Sequence, residues 1–252
     1  MAETITGRHN PLLTYVRKLN TSRAFRREEG RFVLEGPKLL AEAEKAGIAV
    51  ETVLYTPRFE GTLPDAGRVC EVPEELFEGV CDTRTPQGVL AVCRTPELAL
   101  PEALTGAHYL VLDGVQDPGN LGTIWRTADA FGADALVLLP GCADPYAPKT
   151  VRSTMGAAFR LPVWECTLEE LTALTGAADL PLLATALRED TSDVREIDLS
   201  RAAVLLGSEG QGISRAALEA CRATVRIPMR ERCESLNAAI AAGIVLWEMY
   251  RG

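Results

Sequence analysis

The chain has 252 residues, 47% of them hydrophobic and 24% charged, with a formal net charge of −9. That length admits one large domain or two modest ones, and the negative balance excludes a protein that coats nucleic acid indiscriminately. No apolar run approaches the roughly 20 residues needed to cross a bilayer, and the first residues lack the order of a signal peptide, so the sequence predicts a cytoplasmic protein with no membrane segment. The seven cysteines contain no C-x-x-C pair, and His9 and His108 have no ligand-like neighbours. Free buried thiols are expected, with no metal site and no disulfide framework.

Charge is spread unevenly. Between Arg8 and Arg31 seven basic residues stand against two acidic ones, and a basic patch in an acidic protein suits a polyanion held at one place; a solvated amphipathic helix would look the same. Leu12, Leu13, Val16 and Leu19 fall on one stripe of a helix predicted over 10–27. A strand over 31–35, a helix over 37–46 closed by Gly47, a strand over 50–55, a short helix from Pro73 and a strand over 89–93 follow. This alternation implies a small α/β layer domain over 1–94. Residues 95–106, with Pro96 and Pro101 and little periodicity, read as a linker.

The second domain, 107–252, opens on YLVLDGVQDPGNLGTIWRTADAFGADALVLLP. Tyr109 to Leu112 is the apolar run of a buried parallel strand. Asn120 is placed as the cap of the next helix, Leu121, Ile124, Ala128 and Phe131 recur along it, and Gly132 stops it. Arg126 looks away from that stripe. It is either a surface arginine or a fixed guanidinium beside a glycine-rich helix start, suited to a ribose phosphate. A helix over 147–159, strands over 161–166, 181–186, 202–206 and 224–229, a helix near 168–174 and a last helix over 236–250 predict a mostly parallel sheet covered on both faces.

Ligands of such sheets collect beyond the carboxyl ends of the strands. Three loops leave strands in that sense: 113–122, then Gly207-Ser208-Glu209-Gly210-Gln211-Gly212, then the stretch from Ile227-Pro228-Met229 to Glu234-Ser235-Leu236-Asn237, where Ser235 is a candidate helix cap. Singly each is as well read as a tight turn or a capped helix. G-x-G-x-x-G, G-x-x-x-x-G-K-[ST] and G-x-S-x-G are all absent, which removes the common dinucleotide, P-loop and hydrolase explanations. In the last helix Leu236, Ile240, Gly243, Ile244 and Trp247 form one stripe and the alanines keep the other faces small. Burial between subunits is the expectation.

Taken together, Asp117-Pro118-Gly119-Asn120-Leu121-Gly122 with Arg126, the 206–212 loop, and Ile227-Pro228-Met229 with Glu234-Ser235-Leu236-Asn237 resemble the SpoU, or TrmH-like, RNA ribose 2′-O-methyltransferases of the SPOUT superfamily. Asn10-Pro11, Phe32-Val33-Leu34-Glu35-Gly36-Pro37 and Thr85-Pro86-Gln87-Gly88 make the first domain similar to that family's L7Ae/L30e-like substrate-binding module. The resemblance implies an α/β domain with a deep trefoil knot, a homodimer with a composite active site, and S-adenosylmethionine (AdoMet) as methyl donor without a metal. Carried over by residue, the cofactor site falls on Gly207, Ile227 and Leu236, with Thr185, Ala186 and Leu206 nearby. Arg126 takes the catalytic arginine's position, with Asn120, Glu209, Ser235 and Asn237 around the reacting centre. RNA contact is expected from Arg23, Arg26 and Arg27. The leading expectation is methylation of ribosomal RNA. The alternatives are a transfer-RNA enzyme, base methylation on the same scaffold, and a non-catalytic RNA-binding or assembly factor.

Overall fold

Asn10 and Pro11 set the start of the first long helix. The Asn10 side chain accepts from the Leu12 N–H at 2.8 Å, and a proline in the first turn removes a donor that would have had no intrahelical partner. The computed structural model describes residues 2–97, 99–186, 191–208, 210–230 and 235–251. A short strand β1 (Glu3–Thr4) precedes α1 (Pro11–Thr21), which buries Leu12, Leu13, Val16 and Leu19 as its pattern requires. The predicted helix does not continue to Arg27. Ser22 takes an extended conformation, and its hydroxyl accepts from the Phe25 N–H at 3.2 Å, starting a separate helix α2 (Arg23–Glu29) that Gly30 ends in the left-handed region. A serine with a competing local hydrogen bond is what divides the two.

The chain continues through β2 (Arg31–Glu35), α3 (Pro37–Lys45), β3 (Val50–Tyr55), β4 (Arg68–Glu71), α4 (Glu74–Glu78) and β5 (Val89–Arg94). Their sheet has the order β1-β4-β3-β5-β2, parallel across β1, β4 and β3 and antiparallel from β5 to both β3 and β2. The strands β1 and β4 escape sequence reading because two and four residues are too short to show a period. No helix or strand lies between 95 and 107 among the described residues.

Next come β6 (His108–Asp113), α5 (Pro118–Ala130), β7 (Ala135–Leu138), α6 (Pro148–Thr154), β8 (Val163–Glu165), α7 (Leu168–Ala177), β9 (Leu182–Thr185), β10 (Ser192–Asp193), β11 (Ala202–Gly207), α8 (Arg215–Ala220), β12 (Ala223–Arg226) and α9 (Ala238–Arg251). The helix expected to reach Phe159 stops at Thr154. Met155 and Gly156 both have positive φ, 52° and 96°, and a single 3-10 turn follows at Ala157–Phe159. By contact, Met1–Pro96 with Asp144–Phe159 forms one compact unit, and Glu97–Ala143 with Arg160–Gly252 the other.

In the first unit Leu13, Val16, Leu19, Leu54, Phe77 and Leu90 form one buried cluster. Arg26, expected on an exposed basic face with Arg23 and Arg27, is only 6% exposed. Its Nη2 and Nε donate to Asp144 Oδ2 at 2.6 and 2.8 Å, and Nη1 donates to the Leu19 carbonyl. Arg8 pairs with Glu75, Arg17 donates to the Gly79 carbonyl and Arg31 pairs with Glu51, so much of the local positive charge is answered within the unit. Arg27 is exposed and Arg23 half-buried.

The second unit is built on a sheet of order β10-β12-β9-β11-β6-β7-β8 with every neighbouring pair parallel. Leu110, Val111 and Leu112 on β6 and Val204 and Leu205 on β11 have no exposed surface, as a central strand covered on both faces must. On α5, Trp125 is fully buried and donates from Nε1 to the Leu161 carbonyl at 3.0 Å. That indole joins the predicted stripe of Leu121, Ile124 and Ala128. Among the described residues no helix is long and apolar enough to span a membrane. The described cysteines are unbonded thiols, and burial pushes Cys93 and Cys166 up to about 12 and Cys221 to about 11, so they stay protonated and inert at neutral pH.

Candidate cofactor and acceptor site

Three strands of the second unit end side by side, β9 at Thr185, β11 at Gly207 and β12 at Arg226. What leaves β11 is a tight loop. Ser208 N–H donates to the Gly212 carbonyl at 3.1 Å and Gly212 N–H to the Ser208 carbonyl at 2.9 Å, with Gly212 at φ +67°. The Ser208 hydroxyl accepts from the Gln211 N–H at 3.2 Å. Asp113, at the end of β6 and opposite Gly207 in register, accepts from the Ser214 N–H at 2.8 Å and pins the far end of the loop.

Between this loop, the ends of β9 and β12 and the start of α9 lies a cavity of about 420 Å³. Thr185, Ala186, Leu206, Gly207, Ile227 and Leu236 all line it. Sequence reading did not single out Gln211, Met229, Val225 or Arg226, which share the wall. Gln211 stood inside the glycine-rich loop, so position was available as a signal, but nothing in its residue type marked it.

Gly207 has a steric reason to be glycine. A Cβ there would lie on the Gly212 carbonyl carbon and oxygen and the Ile213 nitrogen, all backbone atoms that cannot rotate away. Gly207→Ala is therefore expected to destabilise the protein by about 1–3 kcal/mol, the usual range for overpacking, and to weaken cofactor binding about tenfold or more as the loop shifts. Gly210→Ala is the control, because a Cβ at Gly210 meets nothing within 4 Å. Calorimetric titration and thermal melts of the two variants read the difference; equal behaviour would show that the loop does not depend on this contact.

Beside the cavity, α5 and α9 meet at their first turns. Asp117, not Asn120, caps α5, its carboxylate accepting from the Asn120 N–H at 2.8 Å; Pro118 in the first turn moves the cap three residues earlier than expected. Likewise Asn237, not Ser235, caps α9: its Oδ1 accepts from the Ala239 and Ile240 N–H groups at 2.9 and 3.3 Å. Thus held, Asn237 donates from Nδ2 to Asn120 Oδ1 at 3.2 Å. Ser235 lines the cavity. The structure therefore brings Asn120 and Asn237 together and sets Ser235 among the residues that line the cavity. Arg126 is exposed on α5 and is not among the residues lining the cavity. Glu209 and Glu234 lie outside the described residues.

The last helix divides differently from its predicted stripe. Ala238, Ala239, Ala242, Val245, Leu246 and Met249 face inward, and Gly243 passes Thr127 of α5 closely enough that a Cβ would sit 3.8 Å from its methyl. Ile240, Trp247 and Tyr250 are 57%, 49% and 61% exposed. Trp247 meets Phe131 edge to face and Tyr250 meets it at a tilt, each with ring centroids 5.8 Å apart.

Comparison with known proteins decides the family. Residues 107–247 match the SpoU rRNA methylase family. The chain belongs to that family. Residues 10–91 match the MRM3-like substrate-binding domain. A relative, the 23S rRNA (guanosine(2553)-2′-O)-methyltransferase RlmP of Bacillus subtilis, is 36% identical over 92% of this chain and 93% of its own. Among solved structures, the AdoMet-bound rRNA methyltransferase of Sinorhizobium meliloti superposes with a TM-score of 0.89 at 34% identity, covering 99% of this chain and 98% of that one. The SpoU methyltransferase AviRb of Streptomyces viridochromogenes, solved with AdoMet, gives 0.87 at 29% identity over 96% and 98%. The large parallel sheet of the second unit is thus that of the SPOUT methyltransferases.

Proposed function

We propose that this protein transfers a methyl group from AdoMet to a ribose 2′-hydroxyl of ribosomal RNA. The observation that carries the proposal is the convergence of the six expected cofactor residues on one cavity beside the Asn120–Asn237 pair. The cavity suits the cofactor. Its volume lies within the roughly 300–1,000 Å³ of small-molecule sites; Leu206, Ile227 and Leu236 offer apolar walls for a purine, and the Thr185 and Ser235 side chains and loop backbone offer polar partners for its edge and ribose. Bound AdoMet supplies a methyl group already activated as a sulfonium, so no metal is called for.

The remaining work falls to the chain's own groups, which must hold the acceptor oxygen in line and favour loss of its proton. Asn237, fixed by its capping bonds, orients Asn120 beside the start of α9, whose flanking residues Leu236 and Ala238 line the cavity. Arg126 acts by holding the adjacent phosphate and stabilising the developing alkoxide, with the proton leaving through that phosphate or water. Ser235 and Glu209 complete the acceptor side in this reading.

In this reading the active site is composite, with Arg126, which is exposed on α5, serving the cavity of a second copy. Exposed Ile240, Trp247 and Tyr250 supply the apolar surface that a homodimer covers. Trp247→Glu is expected to convert a dimer into monomers in sedimentation equilibrium and to abolish turnover together; an unchanged mass would remove this helix from the interface. The deep knot, the division into an RNA-binding domain (1–94), a linker (95–106) and a methyltransferase domain (107–252), RNA contact through Arg23 and Arg27, and a cytoplasmic location belong to the same reading. Insertion of β11 between the earlier strands β6 and β9 is consistent with the knot. Transfer of tritium from labelled AdoMet to rRNA, with tRNA alongside, tests the substrate. The proposal expects label in rRNA; label confined to tRNA favours the transfer-RNA enzyme, and cofactor binding with no transfer favours the non-catalytic factor.

A further inference from the structure

A second cavity, of about 260 Å³, opens in the first unit between the end of β3, the helix α4 and the turn that precedes β5. Its frame is rigid. Thr56 N–H donates to the Gly88 carbonyl and Phe59 N–H to the Thr56 carbonyl, both at 2.9 Å. Gly88 has φ +76°, and a Cβ on it would lie 2.8 Å from Thr56 Oγ1. Gly36, at φ +96°, lets the Gln87 amide lie across it, since a Cβ there would sit 2.7 Å from Gln87 Oε1.

The chemistry of the lining is mixed in a specific way. Phe59 and the buried Phe77 give aromatic surface, and Gln87 gives an amide that can donate and accept. Glu74 and Glu78 give carboxylates, and Arg58, 83% exposed in its side chain, is held by Glu74 at 2.8 Å. Two carboxylates against one guanidinium make a phosphate a poor occupant. A planar base with several N–H donors is a good one: carboxylates accept from N1–H and the exocyclic amine of guanine, an amide reads its other edge, and an aromatic ring stacks on its face. The volume is below the usual range for drug-sized ligands, about 300 Å³ and upward, and matches a single base.

We infer that this cavity holds one unpaired guanine of the RNA substrate, read by Glu78 and Gln87 and stacked against Phe59. The inference rests on the RNA-substrate reading above and adds to it a site remote from the methyl-transfer chemistry. Uracil offers one N–H donor where guanine offers three, so the pocket selects between them.

The test uses the full-length chain and fluorescein-labelled single-stranded heptamers, all uridine except for a central guanosine, inosine or uridine, at moderate fixed salt. Anisotropy titrations are expected to give affinity for the guanosine heptamer about tenfold above the other two, one carboxylate–amine contact being of that size. Glu78→Gln is expected to erase the preference over inosine, and Phe59→Leu to weaken the guanosine heptamer about tenfold. Gln87→Ala, at an exposed position, repeats the test, and hydrogen exchange in β3 and β5 confirms that the first unit of each variant is folded. Equal affinities for the three heptamers, or variants that behave as wild type, overturn the pocket while rRNA methylation by the wild-type chain stands. Failure of the wild-type chain to bind any RNA or methylate rRNA overturns both.

Discussion

Arg126→Ala is expected to lower kcat about 10²–10³-fold, the effect of removing one preorganised group that stabilises transition-state charge, while leaving AdoMet affinity unchanged. The second half of that expectation follows from its assigned role, which is to hold the phosphate and alkoxide of the acceptor and not the methyl donor. Arg126→Lys separates charge from shape. A lysine keeps the positive charge but loses the planar fork that grips a phosphate through two parallel bonds, so turnover should stay well below wild type. Full turnover in that variant, with normal cofactor and RNA binding, would sink the electrostatic role. Mixing Arg126→Ala chains with Asn237→Ala chains tests the composite site: exchange of subunits should restore part of the activity, because some dimers then carry one intact site. No recovery in a mixture shown to exchange would place the arginine in its own subunit's site.

The second large effect concerns stability. Arg26→Ala should cost the first unit about 3–5 kcal/mol, the range for breaking a buried ion pair by removing one partner. The side chains of Arg26 and Asp144 are only 7% and 13% exposed, and without the guanidinium the carboxylate keeps the Tyr146 N–H but has no counter-charge in a site that water barely reaches. Asp144→Asn, which keeps an acceptor for the arginine, should cost less. Urea unfolding, followed by hydrogen exchange in α1 and α2, reads both; a loss under 1 kcal/mol would mean that water replaces the partner. The pair also changes how RNA binding must be probed. Charge reversal at Arg23, Arg26 and Arg27 together would unfold the unit, whereas Arg23→Glu with Arg27→Glu should weaken RNA binding and flatten its salt dependence at little cost in stability.

Much of this fold was legible because strands such as Val50–Tyr55 and Ala202–Gly207 are apolar runs with clear ends, and their helices carry one buried stripe each. What was misread has local causes. Ser22 looks like an ordinary polar residue in a helical pattern until its hydroxyl is seen capping the next helix. Asn120 and Ser235 both have cap chemistry, but Asp117 and Asn237 have the same chemistry and sit at the right step. Periodicity alone could not tell which face of α9 turns inward, because alanine faces and the Ile240–Trp247 face are both apolar. The cavity-lining residues were legible only as a set: Gly207, Ile227 and Leu236 lie far apart in sequence, and nothing in residue type joins them before the strands are laid side by side. Arg26 could not be recognised as buried, since its partner is 118 positions away.

The central claim is that the methyl group goes to a ribose oxygen. Ribosomal RNA labelled by this protein with tritiated AdoMet, then hydrolysed in alkali, tests it most directly, because a 2′-O-methyl group removes the nucleophile that cleaves the adjacent linkage. The account predicts tritium in an alkali-resistant dinucleotide. Tritium recovered only in mononucleotides would place the methyl on a base and contradict it.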